Sequence, residues 1–117
     1  MPEAAGRSRS PLKPVEFLAL AVLFDEPLHG YGIVQQIDER TAGRVKLRPG
    51  DVYRVIYRLE ERGLLRKDDR HLDDATDERR TYYRITAAGR ELVQDEAEML
   101  TAVSSALVSR AGGPGVG

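Results

Sequence analysis

RPGDVYRVIYRLEERGLL, residues 48–65, is the stretch that decides how this chain is read. With about 100° between successive helical positions, Val52, Ile56 and Leu59 gather on one side and Val55 falls at its margin. The opposite arc carries Tyr53, Arg54, Tyr57 and Arg58. Phenol hydroxyls and guanidinium groups both donate hydrogen bonds to phosphate oxygens, and arginine also reads guanine edges. Such a face suits a polyanion with flat bases; an ordinary solvated helix face is the competing reading. Pro49-Gly50-Asp51 opens the helix, and Gly63 ends it where a left-handed backbone is easiest without a Cβ. Gly50 lets backbone amides approach an anion at the positive end of the helix dipole, although a tight turn would explain either glycine equally well.

The bulk of the chain limits the alternatives. Its 117 residues suffice for one domain with a modest core. With 32% charged and 41% hydrophobic residues it is expected to be soluble and globular. There are no cysteines, hence no disulfide and no thiolate metal site, which suits a cytoplasmic location. His29 and His71 are the only histidines, so a zinc site would have to lean on carboxylates. The longest apolar run, Phe17 to Phe24, is far short of the roughly 20 residues that cross a bilayer, and no signal peptide is expected. The formal net charge is −1, but residues 40–67 hold nine basic and three acidic residues, a local +6. Local sign governs steering and counterion release more than the total does.

Residues 1–12 are predicted to form a disordered arm, from which Arg7 and Arg9 could reach a minor groove. A first helix is predicted from about Pro14 to Phe24, apolar nearly all round and therefore buried on more than one side. A second runs from His29 or Gly30 to about Thr41, with Ile33 and Ile37 inward and Gly43 just past its end. Val45 and Leu47 alternate with Lys46 and Arg48, enough for a very short strand. After the 48–63 helix, Leu64 and Leu65 lead into another strand, and RTYYRI, residues 80–85, forms its partner. Tyr83 and Ile85 then share one face, with Tyr82 and Arg84 on the other. Between them HLDDATDER, residues 71–79, is acidic and turn-like. Thr86 is a natural N-cap for a last helix over residues 87–110, and 111–117 form a disordered tail.

The expected fold is thus mainly α with a small β-hairpin wing. A winged helix-turn-helix domain occupies residues 13–86 and is followed by a long C-terminal dimerisation helix. In that arrangement the helix with the Tyr/Arg face is the reading helix. The arc makes Arg54, Tyr57 and Arg58 candidates for base-edge contacts.

The residues that carry these features resemble the PadR family of bacterial transcriptional regulators in its short form. The resemblance lies in Pro27-Leu28-His29-Gly30-Tyr31, Pro49-Gly50-Asp51-Val52-Tyr53 and Leu59-Glu60-Glu61-Arg62-Gly63-Leu64, then Tyr82-Tyr83-Arg84-Ile85-Thr86 and Gly89-Arg90. It covers roughly residues 15–95, and the order and spacing of the pieces are more specific than any one of them. It implies a homodimeric repressor that binds an operator and releases it when a small molecule binds or a signal arrives. It also implies phosphate contact by Tyr31 and Tyr53, against which burial with a satisfied hydroxyl is the alternative. Arg48 is expected to join them on the phosphates. The chain departs from the pattern at Gly32, where a larger residue is usual, and at Asp51, where a small hydroxyl residue is usual. Asp51 favours the helix N-terminus yet repels a nearby phosphate. The acidic hairpin tip, with Asp73, Asp74, Asp77 and Glu78, makes minor-groove entry unfavourable. Wing contacts are therefore assigned to Arg79 and Arg80 at its base, where salt bridges with those acids compete.

In the last helix Val93, Leu100 and Leu107 recur every seven residues, with Val103 between them. A helix with such a stripe must bury it. Phe17 and Leu20 of the first helix and Val93, Leu100, Val103 and Leu107 of the last are expected at a two-fold interface; packing onto the chain's own core is compatible with this. Two reading helices about 34 Å apart would then require a pseudo-palindromic duplex. The chain has no tryptophan, and its last helix has no aromatic residue, so a stacking site for a flat effector finds no support and the effector stays unnamed. A winged-helix module for protein assembly without DNA binding is the second reading. An enzyme is not expected: Asp25, Glu26 and His29 lack a nucleophile or an orienting partner, and no cofactor is implied.

Overall fold

The computed structural model describes residues 11–69 and 81–112. The expectations for the N-terminal arm up to residue 10, for the hairpin tip with Arg79 and Arg80, and for the tail after residue 112 lie outside the described residues. The elements run α1 (Pro14–Val22), β1 (Leu28–His29), α2 (Gly30–Arg40), α3 (Pro49–Glu61), β2 (Leu65–Lys67), β3 (Tyr82–Ile85) and α4 (Ala87–Gly112).

The helices begin where local chemistry satisfies their first N–H groups. At α1, Pro14 occupies the first turn and Glu16 Oε1 accepts the Lys13 N–H at 2.8 Å. At α2, His29 is the N-cap, and its Nδ1 accepts the Gly32 N–H at 2.8 Å. Helix α3 opens at Pro49 and ends at Glu61; after its C-cap Arg62 comes Gly63, whose φ of +73° lies in the left-handed region. Thr86 caps α4: its Oγ1 accepts the Gly89 N–H at 3.0 Å and donates to the Gly63 carbonyl at 2.6 Å. That second bond joins the end of α3 to the start of α4. Helix α1 ends two residues before the predicted Phe24: its apolar residues run on, but the helix stops at Val22 with Leu23 as its C-cap.

One strand expectation needs correction. Residues 45–48 form no strand, because the turn after α2 bends away through Ala42 and Gly43, with φ of 55° and 80°, and the Val45 N–H is held by Thr41 Oγ1 at 3.0 Å. The expected pairing of the wing, β2 with β3, is present, and a third strand that the sequence reading did not include, β1, extends it to an antiparallel sheet of order β1-β3-β2. Leu28 pairs with Tyr83 and His29 with Tyr82; across the hairpin Leu65 pairs with Ile85 and Arg66 with Arg84. Along β3 burial alternates as predicted, Tyr83 and Ile85 inward, Tyr82 and Arg84 outward.

One core unites these elements. Leu20, Leu23, Ile33, Ile37, Ile56, Leu59, Leu64, Leu65 and Tyr83 are fully enclosed, and Val55, placed at the margin by period alone, is buried with them. Leu92 and Val93 bring the first half of α4 onto this core. Leu12 docks there as well, its N–H bound to Glu96 Oε2 at 3.1 Å. Gly89 has a specific cause: a Cβ at this position would collide with the Leu64 carbonyl, so only glycine lets α4 start this close to the α3–β2 turn. From residue 98 to 110 every position of α4 is exposed.

Candidate nucleic-acid interface

The amphipathic pattern of α3 is realised as expected. Val52, Val55, Ile56 and Leu59 are inside, while Arg54, Tyr57 and Arg58 are exposed and Tyr53 is half-buried. Tyr57 is 45% exposed, and its ring centroid is 6.2 Å from that of Tyr53. Arg54, Tyr57 and Arg58, with Glu60 and Glu61 at the C-terminal end, line an open concavity of about 560 Å³. The surface is therefore basic and aromatic toward the N-terminus of α3 and acidic at its end.

At the start of the helix Arg48 and Gly50 are both exposed. A Cβ built on Gly50 would meet no other described residue within 4 Å, so the helix surface at Gly50 is uncovered. The N–H groups of Asp51 and Val52 bond back to the Arg48 carbonyl, at 2.9 and 3.1 Å. Pro49 has no N–H, which leaves the Gly50 amide at the positive end of the dipole.

Tyr31 stands at the first turn of α2, 61% exposed. Its ring stacks on His29 at 6.4 Å, and His29 meets the edge of Tyr82 at 5.1 Å. Tyr53 packs between α2 and α3: a Cβ on Gly30 would come within 2.8 Å of its Cζ and Oη. Gly30 is thus the seat of the Tyr53 ring, a role the sequence reading missed. The sign of it was a glycine where a helix former would otherwise be favoured, in the first turn of α2.

The cations differ in how they are held. Among the described residues Arg54 and Arg48 make no ion pair, whereas Lys46 is bound to Asp38 at 2.9 Å and Arg40 to Asp25 at 3.8 Å. Arg58 Nε donates to Glu16 Oε2 at 3.2 Å, and Arg62 Nη1 lies 3.8 Å from the other oxygen of the same carboxylate. No cluster of three or more metal-ligating side chains occurs among the described residues.

The residues assigned to a partner interface divide. Leu20 is 0% exposed and Val93 is buried, both covered by their own chain, so neither is available to a second copy as it stands. Phe17 is half-buried beside a shallow groove of about 250 Å³ between α1 and α4, and Leu100, Val103 and Leu107 are bare.

Three helices, the last of them with an exposed Tyr/Arg face, followed by a small antiparallel sheet define a winged helix-turn-helix protein. Residues 19–95 match the model of the transcriptional regulator PadR-like family, and the chain belongs to that family. It is a family of transcriptional regulators, not of enzymes. A curated relative is an uncharacterised 37.1 kDa protein in transposon TN4556 of Streptomyces fradiae, 36% identical over 89 residues. That match takes in 76% of this chain but only 24% of the relative, so the chain spans about a quarter of that protein's length. Among solved structures, a PadR-like transcriptional regulator from Bacillus cereus superposes with a TM-score of 0.67 at 20% identity, covering 85% of this chain and 92% of the other. Bacillus subtilis PadR, solved in complex with operator DNA, gives 0.58 at 18% identity, covering 73% of this chain and 47% of that one. These likenesses are of fold.

Proposed function

We propose that this chain is a homodimeric repressor that reads a pseudo-palindromic operator through α3 and is released by a small molecule or a signal. The observation that carries the reading is the outward face of α3, where the exposed Arg54 and the Tyr57 ring adjoin the exposed first turn at Arg48 and Gly50. In this assignment Arg54, Tyr57 and Arg58 meet base edges in the major groove. Tyr31, Arg48, the Gly50 amide and Tyr53 hold phosphates, and Arg79 and Arg80 do so from the wing. The exposure of Tyr31 supports its part, whereas Tyr53 is half-buried, with the hydroxyl end of its ring seated against Gly30.

Dimerisation is supported by the second half of α4. Met99, Leu100, Val103, Leu107 and Val108 are exposed on a helix that projects past its own core. A projecting helix gains little from propensity alone and needs tertiary cover for its apolar side. Phe17, Leu100, Val103 and Leu107 are the interface residues of this proposal, with Leu20 and Val93 supporting them from beneath. Release by a small molecule or signal is assigned on the family likeness. A cytoplasmic location follows from the proposed role; no helix among the described residues is long and apolar enough to cross a membrane.

The test is selection from random duplex DNA followed by a salt titration. Enrichment of an inverted repeat, with log affinity falling on log salt by about 0.9 for each phosphate neutralised, is the expected result. A flat salt response with no enriched sequence would favour the protein-assembly module instead.

A further inference from the structure

We propose that Glu16 is a positioning residue that fixes the guanidinium of Arg58 for base readout, an inference that rests on the DNA-binding reading of α3. Glu16 is 3% exposed, and carboxylates are seldom buried without a partner. Its partners come from two directions. Oε1 accepts the Lys13 N–H at 2.8 Å and lies 3.8 Å from Arg62 Nη1, while Oε2 accepts Arg58 Nε–H at 3.2 Å. Arg58 lies in the last turn of α3 and Arg62, four residues on, is its C-cap, while Glu16 belongs to the first turn of α1, 42 residues before Arg58.

The geometry at Arg58 is selective. The carboxylate engages Nε, and the side chain remains 45% exposed in the concavity shared with Arg54 and Tyr57. Bidentate recognition of guanine O6 and N7 can be made by the two terminal nitrogens, which this contact does not use. An arginine held at Nε loses rotamer freedom before it meets a base, so less ordering remains for the complex. The fixed charge partner also lowers its attraction to any passing phosphate, so the contact favours specificity over bulk affinity. Arg54, with no ion pair among the described residues, is the contrasting case on the same face.

Glu16→Gln tests the assignment. A carboxamide has one acceptor oxygen; the local Lys13 N–H, bonded at 2.8 Å, keeps it, so the NH₂ is turned toward Arg58 Nε–H, a donor against a donor, and the part-exposed guanidinium turns to solvent. Three readouts separate the outcomes. The first is the Arg58 Nε–H resonance in the DNA-free protein, expected to be protected from solvent exchange in the wild type and to exchange freely in Glu16→Gln. The second is discrimination between a duplex selected by the wild type and a scrambled duplex. It is expected to fall by about threefold to tenfold, the equivalent of one side chain that must be ordered on binding, with affinity for the scrambled duplex kept. The third is non-additivity: Glu16→Gln in an Arg58→Ala background should cost no further discrimination.

Arg62→Gln removes the carboxylate's other partner and should leave discrimination near wild type. If Glu16→Gln does not fold, Glu16→Asp, which keeps the buried charge but is one methylene too short to hold both the Lys13 N–H and Arg58 Nε–H, should lose discrimination to a similar extent. Unchanged discrimination in Glu16→Gln, or in Glu16→Asp where it stands in, or an additive loss in the double variant, overturns the proposal. A wild type that selects no duplex while Arg58 Nε–H is still protected overturns the DNA reading, and this role with it. The unprotected resonance in the wild type overturns the positioning contact alone.

Discussion

Replacing Leu100 by Asp is the sharpest perturbation of the proposed assembly. Leu100 is 44% exposed on a stretch of α4 where every position from 98 to 110 is open, so the free protomer should tolerate the change. A Leu to Asp exchange on a solvated helix costs at most about 0.7 kcal/mol in propensity. In a two-fold dimer the same change acts twice. Full burial of a leucine stabilises by about 1.5–3 kcal/mol, so covering its open part contributes about 1 kcal/mol per protomer. Burying a carboxylate without a partner adds at least about 1 kcal/mol on each side, more if the centre of the interface is dry. The total of about 4 kcal/mol raises the dimer dissociation constant roughly a thousandfold. Sedimentation velocity across a micromolar concentration series should find the wild type dimeric and Leu100→Asp monomeric, with unchanged helical circular dichroism. A variant that sediments as a dimer at the same concentrations as the wild type would refute the assignment of this face.

Three further outcomes are expected. Arg54→Ala should relax preference at one base step by about 1–3 kcal/mol and leave the others intact, measured by repeating the selection with the variant; an unchanged sequence preference would remove Arg54 from readout. Gly89→Ala should lower stability by about 1–3 kcal/mol in urea, because its methyl meets the Leu64 backbone carbonyl, which cannot move as a side chain would; a wild-type midpoint would show that α4 can shift freely. Thr86→Ala removes both the Gly89 cap and the bond to the Gly63 carbonyl. A loss of about 0.5–2 kcal/mol is expected, whereas Thr86→Ser, which keeps the hydroxyl, should recover most of it.

The parts of this fold legible in the sequence are those set by short-range rules. The 3.6-residue period of Val52, Ile56 and Leu59 sorts the two faces of α3, and the two-residue period of β3 turns Tyr83 inward and Tyr82 outward. Gly63 and Thr86 mark the ends of helices because their backbone and hydroxyl chemistry acts within three or four residues. Features made by distant segments were hidden. Strand β1 is two residues long, too short for alternation, and exists because β3 offers it an edge. The pattern at residues 45–48 is strand-like, but no described strand pairs there and Thr41 Oγ1 accepts the Val45 N–H. The seat of Tyr53 on Gly30 and the tie of Arg58 to Glu16 join segments more than twenty positions apart, which no local pattern records. The division of the apolar residues of α1 and α4 was equally invisible: period identifies a stripe, not which part its own chain covers, and so Leu20 and Val93 were grouped with the bare Leu100 and Leu107.

The claim that α3 reads DNA is met most directly by titrating a selected duplex into isotope-labelled protein and following its amide resonances. The largest shifts are expected from Arg48 through Arg58 and at Tyr31, with small ones beyond residue 98 of α4. Shifts gathered on α4, with the Gly50, Arg54 and Tyr57 amides unmoved at saturation, would contradict it.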